Sequence, residues 1–128
     1  MTATIVLVED DRDFAGSLAA SINDALDGII QTVTTGDPRR AIELIDQLAP
    51  ALLITDVHLG VTNVLTLLNE LASYPDTLKL PKIILSSSGR DLAMDDLCQY
   101  GVSAVYDKRT YQLSDLIAKI KELLPHGC

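Results

Sequence analysis

Three acids stand in a row at Glu9, Asp10 and Asp11, directly behind the apolar run IVLV of residues 5–8. Asp56 closes the segment LLITD, Ser86, Ser87 and Ser88 follow KIIL, and Lys108 closes VYDK. Carboxylates gathered at one place repel one another and raise each other's pKa unless a cation intervenes. Hard oxygen ligands suit Mg²⁺, which prefers octahedral geometry, keeps several waters and is held by one or two carboxylates. Taken singly these residues have plainer readings. Asp11 and Asp13 suit the start of a helix, where negative charge is favoured. A lone Asp56 makes a turn, serines make loops, and a lysine is a solvated charge. The combination points to a divalent-cation seat only if the chain brings the four segments to one place.

The elements that would do so alternate along the chain. TIVLV (4–8), IIQTV (29–33), ALLIT (51–55), KIILS (82–86) and SAVYD (103–107) are short and rich in β-branched residues, and read as strands. Between them apolar residues recur at helical spacing. The first set is Phe14, Leu18, Ile22 and Leu26, the second Ala41, Leu44, Ile45 and Leu48, the third Leu67, Leu68 and Leu71. A weaker helix lies in 91–101 on Leu92, Leu97 and Cys98, with Gly101 as its C-cap, and the last carries Leu113, Leu116, Ile117, Ile120 and Leu124. Asp37–Pro38 is a helix start, and Thr110 or Ser114 suits the start of the last helix.

Strand and helix repeated five times predict an α/β fold: a doubly wound five-stranded parallel sheet with five helices, a three-layer sandwich of flavodoxin type. ALLI and KIIL, apolar almost throughout, are its central strands. In such a sheet, sites collect at the carboxyl ends of the strands, where the strand order reverses. The acids, the serines and the lysine all sit at strand ends.

The 128 residues hold one domain, 48% apolar and 22% charged. The formal net charge of −8, with no basic stripe, argues against nucleic-acid or anionic-membrane binding. No apolar run approaches the ~20 residues of a membrane span, and no signal-peptide pattern follows Met1, so a cytoplasmic location is expected. Cys98 and Cys128 form neither a metal motif nor a disulfide framework.

Over essentially its whole length the chain resembles the receiver domain of bacterial two-component response regulators, the CheY-like family. VLVEDD, LLITDVHLG, PKIILSSS and VYDKR carry the resemblance. It implies that Asp56 accepts a phosphoryl group from a histidine kinase or phosphotransfer protein. Asp10, Asp56 and the backbone carbonyl of His58 would bind Mg²⁺, with Glu9 acting through a water. Ser86 and Lys108 would meet the phosphoryl oxygens, and phosphorylation would remodel the surface of helix four, strand five and helix five. The domain is then a phosphoacceptor that catalyses its own phosphorylation and dephosphorylation, not an enzyme acting on other substrates. Its partners are that kinase and a downstream protein or fused output domain absent from residues 1–128. Pairing of two copies is left open.

The family's pattern is altered in places. Gly60 stands where proline is usual, Val64 where glycine is usual, and Val105 where a switch aromatic sits, with Tyr106 on the opposite face. Arg109 replaces the proline that normally follows the lysine through a cis bond. A cis bond without proline costs about 3 kcal/mol, so the loop either stores that strain or takes a trans route that shifts Lys108. His58 reads as an exposed imidazole or a tuner of phosphoryl lifetime. The competing classes are a degenerate receiver that only binds a partner and an Mg²⁺-dependent phosphatase, which would want an acid where His58 stands. A flavodoxin-like cofactor binder lacks its Gly-rich loop after strand one.

Overall fold

The computed structural model describes residues 3–59, 62–86 and 97–124. Strands β1 (Ala3–Val8), β2 (Ile30–Thr35), β3 (Leu52–Asp56), β4 (Lys82–Ser86) and β5 (Val102–Asp107) form one sheet in the order β2-β1-β3-β4-β5. All neighbouring strands run parallel. The doubly wound expectation holds, and β3 is central with β4 beside it. Ile5 to Val8 and Leu52 to Ile54 are fully buried, as a sheet covered on both faces requires.

Helices α1 (Arg12–Ala25), α2 (Pro38–Leu48) and α3 (Val64–Ala72) and the C-terminal helix (Leu113–Leu123) make the outer layers. On one face Leu18 and Ile22 of α1 and Leu116 and Ile120 of the C-terminal helix pack on Ile5, Leu7, Ile54 and Ile83. On the other, Ala41 and Ile45 of α2 and Leu67 and Leu71 of α3 pack on Val6, Val8 and Leu53. Val105 joins the cluster around Leu68, Ile84 and Leu97, whereas Tyr106 packs on the α1 face, so the two alternate as expected.

The helix read over 91–101 falls mostly outside the described residues. Its end is described: Leu97 is buried, and Gly101 caps it with φ +80. Asp37 caps α2 as expected, its carboxylate accepting from the Arg39 N–H. The start of the C-terminal helix differs from expectation: its N-cap is Gln112 without a side-chain hydrogen bond, not Thr110 or Ser114. The backbone N–H of Thr110 is instead committed to the preceding turn, donating to the Asp107 carbonyl.

Three features have no counterpart in the sequence reading, one of them a single helical turn at Pro75–Leu78. His58–Leu59 pairs antiparallel with Thr62–Asn63, so the segment after Asp56 is a small ribbon that leads straight into α3 at the fully buried Val64. Lys82, at the head of a strand read as apolar, is fully buried. Its Nζ donates to the carbonyls of Thr77, Leu78 and Leu80 at 2.8, 3.1 and 2.7 Å. Burial draws its pKa down to about 8, yet only the ammonium has the three protons that these carbonyls accept.

Candidate functional site

Because β1 hands the chain to β2 on one side and β3 lies on the other, the strand order reverses between β1 and β3. Residues leaving the carboxyl ends of these two strands must face each other. Glu9 and Asp10 follow β1, and Asp56 ends β3. Each of the three offers a carboxylate oxygen within 4.8 Å of the other two. Glu9 and Asp56 are buried, at 4% and 6% exposure, while Asp10 is open to solvent.

The backbone fixes these acids tightly. The Glu9 N–H donates to the Thr35 carbonyl at 2.8 Å, extending the β1–β2 ladder past the last strand residue. Gly36, next in the chain, lies so close that a Cβ there would come within 3.1 Å of the Asp10 Cα. One Asp56 oxygen accepts from the Val57 N–H at 2.6 Å. Asp11 takes the plainer role: its carboxylate accepts from the Phe14 N–H and caps α1, and Asp13 sits in the exposed first turn.

Lys108 enters from the end of β5. Its Nζ lies 2.6 Å from Glu9 Oε1 and 3.3 Å from Asp56 Oδ2, and 4.4 Å from the centroid of the Phe14 ring. An ammonium over an aromatic face gains from the ring's quadrupole. Burial works against the Lys108 charge, but the Glu9 hydrogen bond and the two carboxylate charges outweigh it and hold its pKa above the ordinary value. Burial raises Glu9 to about 7 against the pull of Lys108, and the nearby Asp56 adds to the rise.

The peptide after Lys108 is trans, as are all those among the described residues. Of the two outcomes foreseen for a loop without its proline, the chain takes the trans route, and the ammonium still reaches Asp56. Ser86 is buried at the end of β4, its carbonyl accepting from the Lys108 N–H at 2.8 Å. Ser87 and Ser88 lie outside the described residues. For His58 the backbone is described, paired with Asn63 two residues beyond Asp56, and its side chain is not.

Glu9, Asp10, Asp56 and Lys108 are thus brought together around one point, and Ser86 stands at the neighbouring strand end. Phe14 was read as a core position of α1. The usable signal was its place in the first turn of a helix that begins right behind the acids. Three hard oxygens so close, with one ammonium between two of them, fit a small divalent cation that completes its shell with water and carbonyl oxygen. Among the described residues no helix is long and apolar enough to cross a membrane.

Comparison with known proteins identifies the family and the fold. Residues 5–121 match the response regulator receiver domain family. No curated protein sequence matches the chain. Among solved structures it resembles the BeF3-activated N-terminal receiver domain of Klebsiella pneumoniae RstA at 26% identity, covering 96% of this chain and 99% of that one, with a TM-score of 0.77. The chemotaxis response regulator CheY4 of Vibrio cholerae superposes with a TM-score of 0.81 at 15% identity, over 97% of this chain and all of the other (100%). Response regulator TrrA of Thermotoga maritima, solved in complex with Mg²⁺-BeF, superposes with a TM-score of 0.80 at 17% identity, over 96% and 100%. With that match spanning nearly the whole chain and the strand order of a doubly wound parallel sheet, the chain belongs to the response regulator receiver domains.

Proposed function

We propose that Asp56 accepts a phosphoryl group from a phosphohistidine of a sensor kinase or phosphotransfer protein, and that the domain signals by the change this brings at its surface. A carboxylate oxygen of Asp56 forms the new bond to phosphorus while the phosphorus–nitrogen bond breaks, its electron pair leaving with the imidazole. Little proton transfer is needed, so positioning and charge neutralisation carry the rate. The observation that carries this reading is the ammonium of Lys108, 3.3 Å from Asp56 and backed by Glu9. It stands where negative charge gathers on the phosphoryl oxygens.

Asp10, Asp56 and the His58 carbonyl would hold Mg²⁺ directly and Glu9 through a water. The ion's chemistry, when bound, is to offset charge on the phosphoryl oxygens. The BeF3 and Mg²⁺-BeF complexes of RstA and TrrA support the assignment. The Ser86 hydroxyl would move toward the new phosphoryl oxygens, and the change would reach the surface formed by β5 and the C-terminal helix.

The test is incubation with acetyl phosphate and Mg²⁺, read by intact mass. One added phosphoryl group, lost in Asp56→Asn, is expected. No addition would leave only a binding module, and repeated turnover of a phosphoester would make it a phosphatase.

A further inference from the structure

The turn after β5 carries a feature that neither the acids nor the sheet accounts for. The Lys108 backbone is tied down on one side, its N–H donating to the Ser86 carbonyl. On the other side Arg109, joined through a trans peptide, carries a backbone N–H, which a proline would not have. That N–H donates to Asp107 Oδ1 at 2.8 Å. The Asp107 carbonyl then accepts from Thr110 and Tyr111 at 3.2 and 2.9 Å. One residue therefore receives three successive backbone N–H groups and closes the turn around Lys108.

We propose that Asp107 is a positioning residue for Lys108: by capturing the Arg109 N–H it sets the turn from which a trans-linked lysine reaches Glu9 and Asp56. The carboxylate of Asp107 is directed at Arg109, whose guanidinium also donates to it at 3.3 and 3.2 Å, and this leaves the Lys108 ammonium to the crevice. The Arg109 side chain is 67% exposed and that of Asp107 27%. An ion pair so open to water contributes little, so the backbone N–H is the partner that matters. The role is a local one of an aspartate whose side chain bonds the backbone two residues on.

The inference rests on Asp56 being the phosphoacceptor, and the experiment separates the two. The wild-type chain, Asp107→Ala, Asp107→Asn, Arg109→Ala and Arg109→Pro are compared in two measurements. The first is phosphorylation by acetyl phosphate with Mg²⁺, resolved into maximal rate and half-saturating donor concentration. The second is the NMR signal of the Lys108 ε-methylene in the metal-free protein.

Asp107→Ala is expected to lower the maximal rate roughly ten-fold or more, because small displacements of a reacting group are costly. It should also move the Lys108 signal toward that of a free lysine. Asp107→Asn, which keeps the acceptor oxygen, should restore both, and Arg109→Ala, which keeps the N–H, should stay within about two-fold of wild type. Arg109→Pro, although it restores the family's usual residue, should lose rate as Asp107→Ala does, because it deletes the N–H. A Lys108 signal unmoved by Asp107→Ala, or an Arg109→Pro protein as fast as wild type, overturns the proposal. A wild-type chain that takes up no phosphoryl group overturns the reading of Asp56 instead, and the NMR comparison then decides on Asp107 by itself.

Discussion

Lys108 stands closer to Glu9, at 2.6 Å, than to Asp56, at 3.3 Å, so the buried glutamate is its main partner. Even so, burial holds Glu9 at a pKa of about 7, above its ordinary 4.5. A carboxylate whose folded pKa is raised binds more protons folded than unfolded between those two values. Its contribution to stability is therefore present at low pH and lost as pH rises through about 7. Removing the titrating group should flatten this dependence. In urea melts without divalent ions, the stability of Glu9→Gln relative to wild type should rise between pH 5 and pH 8. A constant difference would show that Glu9 titrates normally.

The Phe14 ring and the Lys108 ammonium should be energetically coupled. A double-mutant cycle of Phe14→Leu and Lys108→Met, measured by denaturant unfolding, should return a coupling of about 1 kcal/mol. Phe14→Tyr keeps the aromatic face and should keep most of it. A coupling indistinguishable from zero would mean that the ring only fills space.

Lys82→Met should be strongly destabilising despite the similar volume. It leaves the carbonyls of Thr77, Leu78 and Leu80 without the donor they share, at a cost on the order of 3 kcal/mol. Unfolding by guanidinium chloride measures this directly, and a loss below about 1 kcal/mol would show that water replaces the amine.

Ala49 closes α2 in the left-handed region, at φ 45 and ψ 61, where an L side chain crowds the following carbonyl. Ala49→Gly relieves that crowding and gives back some entropy to the unfolded chain, for a net gain of about 0.5–1 kcal/mol. The melting temperature should rise; a fall would mean that the strain is relieved elsewhere.

The strands were legible because their apolar runs had to be buried on both faces, and a parallel sheet then sends every carboxyl end to one edge. That alone brought Glu9, Asp10, Asp56, Ser86 and Lys108 to the same region of the molecule. What stayed hidden depends on partners distant in sequence. Nothing in KIIL announces that its lysine is buried with the strand, because that burial requires three carbonyls turned inward just before it. Phe14 satisfies the helical pattern whether it meets the core or an ammonium. The ribbon of His58–Leu59 with Thr62–Asn63 is too short for any periodicity to announce. The trans peptide after Lys108 was one of two routes that the sequence left open, and it is the one that avoids the cost of a cis bond without proline.

Lys82 and Gly101 meet at the edge of the sheet opposite the acids. A side chain at Gly101 would collide with the Leu78 carbonyl, and the Lys82 amine lies just beyond. The start of β5 thus lies hard against the turn that precedes β4. A residue with a side chain at position 101 would therefore have to push the start of β5 away from the turn that precedes β4, and would disturb the sheet at the end far from the acids.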